Sequence, residues 1–203
     1  MTCSRAAILG KVRQALGRQP GDCVQPAPPP AAIVTGDGSD LEQRLRERLA
    51  LTGVTLQTLA SPGELAGAVA AYLAALGLTD AVALAPGLAH ECWRGVAVDV
   101  GGALPHHDVA VTRAFAAVAA SGSLVFLAGP DHPPRSGFLP AHHLVVLSKA
   151  RLVGRLEQLW PLLAGHPGEA LHLVGGPSST ADIGGQLLYG AHGPRAVHVL
   201  LTP

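Results

Sequence analysis

The sequence predicts an α/β domain around a mostly parallel sheet. Two observations carry that expectation: short apolar runs of strand length alternate with segments of helical period, and Ser, Asp, Gly or Pro stands at most of the junctions. A third sets the scale. The 203 residues, 48% of them hydrophobic, suffice for one domain with a sizeable core and an N-terminal appendage.

Taken in order, residues 1–17 predict a helix with Ile8, Val12, Ala15 and Leu16 on one stripe, Ser4 as cap and Gly17 as stop. Residues 18–38 hold "RQPGDCVQPAPPPAA", whose five prolines and lack of period predict an extended linker. The main domain is expected over 39–203. Its first helix, "SDLEQRLRERLALTG", is capped by Ser39 or Asp40 and stopped by Gly53. A strand "VTLQTL" follows, then the helix "SPGELAGAVAAYLAALG", with Ser61 as cap and Pro62 in its first position. "AVALA" is a wholly apolar strand of the kind buried in a parallel sheet, "GLAHECWRG" a short helix and "GVAVDV" a further strand. Val109–Thr112 and Ser123–Leu127 read as strands, with a turn or two of helix in the alanine run between them. "HHLVVLS" is a strand and "KARLVGRLEQLWPLLAG" a helix disturbed by Pro161. The series closes on the strand "ALHLVGG", a helix from Ser179 to about Leu188, and the strand "RAVHVLLT".

Composition narrows the function classes. Fourteen Lys and Arg balance fourteen Asp and Glu, so no excess charge drives non-specific nucleic-acid binding, and 3% aromatics disfavour a base-stacking surface. Charged residues are only 14% of the chain, against about 25% in typical soluble domains. The apolar surface this implies suits coverage by another subunit, so a homo-oligomer is expected. No stretch reaches membrane-span length and no signal peptide is visible, which predicts a cytoplasmic protein. Cys3, Cys23 and Cys92 form no CxxC pair; reduced thiols and no iron–sulfur cluster on this chain are the expectation.

Chemistry concentrates in a few turns. Gly175 and Gly176 permit close backbone approach. Ser178, Ser179 and Thr180 could bind an anion at the N-terminus of the helix expected there. The same "STAD" fits a capping box in which Asp182 reaches back to the cap, with no ligand at all. His192, set between glycines in "YGAHGP", could present an imidazole for proton transfer or merely decorate a turn. In "AASGSL", Ser121, Gly122 and Ser123 could line a pocket or serve close packing. The doublets His106–His107 and His142–His143 invite a metal. Adjacent strand residues point to opposite faces, however, and "HEC" at 90–92 lacks the HExxH spacing, so no metal site is expected. GxGxxG and P-loop patterns do not occur.

Three blocks in order, "DVAVTRAFAAVAASGSLVFL", "FLPAHHLVVL" and "VGGPSSTADIGGQLLYGAHGPRAVHVLL", resemble the LUD-domain family in its lactate-utilisation protein C branch. The "SRAAILGKVRQALGR" start with a Pro-rich linker also suits that branch. The resemblance implies a three-layer α/β/α fold like that of sugar-phosphate isomerases and coenzyme A transferases. It implies a role in oxidising L-lactate to pyruvate beside an iron–sulfur partner and a second cysteine-rich partner, with the iron–sulfur clusters on those partners. Ser178, Thr180, Asp182, His192 and Gly193 are family-motif positions, joined by Thr112, Ser121, Gly122 and His143. Within these sets, Asp182 and His192 are the candidate catalytic pair; Gly176, Ser178, Ser179, Thr180, Gly193, Ser121, Gly122, Thr112 and His143 are the candidate ligand-binding residues. One departure stands out: where the family reads Ala-Glu-Thr-Gly, this chain has Ala119, Ala120, Ser121 and Gly122, so the acid is missing. That argues against a freestanding isomerase or transferase acting on a phosphorylated or thioester substrate, in which Asp108 or Asp182 would have to substitute for the acid; the alternatives are a non-redox subunit and a pure scaffold.

Overall fold

The computed structural model describes residues 4–19, 22, 40–78, 81–166, 170–181, 187–190 and 192–203. The chain divides into two units, Met1–Gly36 and Asp37–Pro203. The first holds helix α1 (Ser4–Ala15), which begins with Ser4 already inside it; Gly17, at φ +62°, turns the chain out of it.

The second unit is built on six parallel strands: β1 (Thr55–Thr58), β2 (Val82–Leu84), β3 (Val98–Val100), β4 (Val109–Arg113), β7 (His142–Ser148) and β12 (Ala196–Thr202). Their order across the sheet is β1-β12-β7-β4-β2-β3. Period 2 sends Val109, Val111, Leu144, Val146 and Leu200 to one face, where helix α3 (Leu65–Leu76) buries Leu65, Ala66, Ala68 and Val69 against them. The other face offers Val145, Leu147, Val197, Val199 and Leu201 to helix α2 (Leu41–Leu51). In α2, Leu45 and Leu49 stand one turn apart and are fully buried, each contributing roughly 1.5–3 kcal/mol of burial. Asp40 caps this helix, accepting from the Glu42 and Gln43 amides. Lys149, 2.8 Å from Glu42, ties the helix to the end of β7 and holds the Glu42 carboxyl below its usual pKa.

The outer layer is where expectation and structure part. Beside α2 lies a second sheet, of order β8-β5-β6-β9, made from β5 (Ala116–Val118), β6 (Ser123–Leu127), β8 (Leu152–Val153) and β9 (Leu171–Val174). The alanine run expected to be helical is strand β5. Ala117 and Ala119 pack toward the main sheet, while Ala116 and Val118 pack outward beneath Leu159 of helix α5 (Leu159–Leu163). A segment buried on both faces at that spacing outweighs the helix propensity of alanine. The long helix expected over 149–165 is instead a 3-10 turn, β8, another 3-10 turn and the five-residue α5, which contains Pro161. The short helix expected at 87–95 is a single 3-10 turn, Pro86–Leu88. The helix expected from Ser179 to about Leu188 does not form over its described residues either. Ser179–Ala181 is strand β10, paired antiparallel with β11 (Leu187–Tyr189), and the hairpin base is pinned by Ser178 N–H to Pro194 O (2.8 Å) and Gly190 N–H to Ser178 O (2.8 Å). A helix N-terminus at Ser179 therefore does not stand, since residues 179–181 are extended; Asp182, the acid of the expected capping box, lies outside the described residues.

Candidate functional site

The parallel sheet selects a crevice by its topology. From β2 the chain runs outward to β3; it then crosses back over β2 to form β4, and from there proceeds toward β7 on the other side. Connections thus leave β2 and β4 in opposite directions, and the carboxyl ends of such a strand pair open a ligand crevice in α/β sheets. A cavity of about 450 Å³ lies there. Gly87, three residues after β2, forms one wall; Arg113, the last residue of β4, and Phe115 form another; Asp131, His132 and His166 complete it. The Gly87 amide donates to Asp131 O (3.1 Å), and a β-carbon on Gly87 would come within 3.3 Å of Asp131, a tight approach that would push Asp131 by a few tenths of an ångström.

Charge in the crevice is organised around Arg113. Its Nη2 lies 2.7 Å from Glu91 Oε1, which also lies 3.4 Å from His90 Nε2. Phe115 meets His166 edge-on at 5.2 Å and carries the Arg151 guanidinium 5.3 Å from its ring centre. Beneath, a buried histidine cluster occupies the space between the two sheets. His132 stacks on Phe126 (4.8 Å, 10°), which also contacts His143 (5.5 Å). His143 Nε2 is 2.7 Å from Thr112 Oγ1. Burial drives the His143 pKa down to about 3, with His132 adding to it, and the His132 pKa down to about 4, with His172 adding to it. Both rings are neutral at physiological pH. His132 Nδ1, His143 Nδ1 and His172 Nε2 are buried without a protein hydrogen-bond partner, a concentration of unsatisfied groups of the kind that marks functional interiors.

The residues expected from sequence fall into separate places. Thr112 and His143 meet directly, and the doublet His142–His143 splits across the sheet as strand geometry requires, His142 Nδ1 lying 3.0 Å from Tyr72 OH on α3. Ser178 and Gly193 adjoin each other: a β-carbon on Gly193 would stand 3.1 Å from that of Ser178. Ser121, Gly122, Gly176 and Ser179 belong to a different corner, near the C-terminal end of α2. There Gly122 (φ +71°) packs on Arg48 and Gly176 on Thr52, each leaving only 2.9 Å for a β-carbon. A second cavity, of about 470 Å³, lies between Thr52 and the Gly175–Ser179 turn. Ser121 bonds Ser123 (2.8 Å). Thr180 and His192 are exposed. Sequence reasoning missed Arg113, His132 and His172. The one available signal was Arg113 closing the apolar run "VAVT", at the carboxyl end of a parallel strand.

Asp99, His106 and His107 bring three potential ligand atoms within 4.8 Å of one another. His107 Nδ1 accepts the Leu104 amide (3.0 Å), so its proton resides on Nε2, facing Asp99 at 3.4 Å. His107 Nε2 is itself buried with no hydrogen-bond partner among the described residues.

A six-stranded parallel sheet with a second, mixed sheet laid over one face defines an α/β protein, and residues 102–202 match the family model described as LUD domain. Its relatives are specific. Lactate utilization protein C of Exiguobacterium sp. is 35% identical over 101 residues, spanning 47% of this chain and 44% of that protein. Lactate utilization protein C of Halalkalibacterium halodurans is 33% identical over 101 residues, 46% of this chain and 44% of that protein. The matched stretch is thus under half the length of these curated relatives. Among solved structures, a DUF162 family protein from Deinococcus radiodurans shares the fold, with a TM-score of 0.60 and 19% identity over 80% of this chain and 96% of that one. Among the described residues no helix is long and apolar enough to cross a membrane.

Proposed function

We propose that this chain serves a lactate-utilisation system as a non-redox subunit that binds a small carboxylate in the crevice at the carboxyl ends of β2 and β4. The observation that carries the reading is Arg113 at the mouth of a topological switch crevice, its fork paired with Glu91 and its surroundings formed by Phe115, Asp131, His132, His166 and apolar groups. A guest carboxylate would compete with Glu91 for that fork in a charge-assisted, bidentate geometry. The names of the relatives support the system, and L-lactate and pyruvate are the carboxylates it would present. Oxidising lactate needs a redox cofactor; in this reading the iron–sulfur and cysteine-rich partners carry it, while this chain holds substrate or organises them. Thr112 and His143 then form the neutral floor behind the crevice. Ala120 sits in the β5–β6 turn, at the end of that hairpin away from Phe115, so the missing family acid leaves the proposed crevice intact.

Titration calorimetry with L-lactate, pyruvate and acetate tests this. Binding should weaken 10- to 100-fold in Arg113→Gln, the scale of about 1.5–3 kcal/mol for a hydrogen bond to a charged group. Equal affinity in wild type and variant, or no carboxylate binding at millimolar concentration, would remove the crevice from consideration. Growth on lactate left unaffected by both Asp182→Asn and His192→Ala would then favour a pure scaffold.

A further inference from the structure

Helix α1 presents an apolar stripe that nothing in its own unit covers: Ile8 is 57% exposed, Val12 49% and Leu16 60%, at i, i+4 and i+8. Around the stripe its charge has one sign only. Arg5, Lys11, Arg13 and Arg18 precede the first acid, Asp22, and among the described residues none of the four has an ion-pair partner. The zero net charge of the chain hides a division. Residues 1–36 carry four of the fourteen cations and one of the fourteen acids, a net +3; residues 37–203 carry ten cations and thirteen acids, a net −3.

We infer that α1 is an interaction arm that docks on a second copy of this chain, its Ile8–Val12–Leu16 stripe in an apolar groove and its cations against that copy's acidic domain. The complementary charge is the net −3 of residues 37–203, so a second copy of this chain offers a surface of the opposite sign. Two-fold exchange would bury both arms at once, doubling the contact. A helix seated in a groove through anchors at this spacing is a recurring recognition mode. Insertion into an anionic membrane is the competing use of a basic amphipathic helix, and the stripe argues against it: it holds no Trp, Tyr or Phe of the kind that anchors interfacial helices. The inference is independent of the carboxylate reading and needs no ligand.

The test is sedimentation equilibrium of the full chain between about 1 and 50 μM, near the scale of weak docking. A dimer is expected at low salt, weakening at least tenfold at high salt, the mark of screened charge contacts. It should weaken comparably in the double variant Ile8→Asp, Val12→Asp, and again in Lys11→Glu, Arg13→Glu, with the melting temperature of the α/β domain unchanged in each. A chain that is monomeric throughout the range overturns the proposal, as does a dimer indifferent to either double variant. Binding of the monomer to phosphatidylglycerol vesicles, lost in the same variants, would assign the arm to membranes instead.

Discussion

Two cavities of the α/β unit are nearly equal in size and opposite in character. The crevice at β2 and β4, about 450 Å³, gathers an arginine, an aspartate and two histidines from segments far apart in sequence. The cavity under the Gly175–Ser179 turn, about 470 Å³, is walled largely by backbone, with Thr52 and Ser179 as its polar side chains. The second is conspicuous in the sequence because glycines and hydroxyls are contiguous there; the first is nearly invisible because each member stands alone. A glycine-rich turn shows that backbones approach closely, whereas ionisable groups converging at strand ends can do chemistry.

Acid should separate the two regions most strongly. His143 and His132 have folded pKa values of about 3 and 4, below the unfolded value of about 6.5, so the unfolded chain binds more protons between those limits. Their stabilisation is complete above pH 6.5 and is lost as pH falls, by up to roughly 5 kcal/mol for the pair by pH 4.5, at about 1.4 kcal/mol per unit per group. Hydrogen exchange at pH 5 should therefore open β4, β6 and β9 before α2; uniform opening would break the contrast. Next in size, Gly122→Val forces a branched residue to φ +71° against Arg48 and should cost about 2–4 kcal/mol by thermal melting, while carboxylate affinity in the folded protein is retained. Thr112→Val strands His143 Nε2 and should cost about 1–2 kcal/mol, on the crevice side alone. Smallest of all, His192→Ala should alter carboxylate affinity less than about twofold, because that ring is exposed in a turn; a larger loss would return weight to the glycine-rich motif.

Much of the fold was legible in the sequence. Every strand of the parallel sheet was expected within three residues at either end, because burial on both faces demands the continuous apolar runs that "AVALA" and "HHLVVLS" display. Of the second sheet, β6 and β9 were expected as strands, while β5 and β8 were hidden for physical reasons. Ala116–Val118 is strand through its position between two apolar layers, which alanine composition does not announce, and β8 is two residues long. Ser179–Ala181 carried a helix-start pattern but pairs with Leu187–Tyr189 instead. The candidate site was legible only in the Thr112–His143 pair. His132 and His172 acquire meaning through Phe126 and the spacing of the sheets, which no local window contains.

Strand β12, threaded between β1 and β7, couples distant parts of the chain: Thr55 and His198 touch across a separation of 143 residues. During synthesis β1 must wait for nearly the whole domain to emerge before its sole neighbour in the sheet exists. Closing so long a loop slows folding more than it lowers final stability, and the β1 edge stays unpaired until that loop closes.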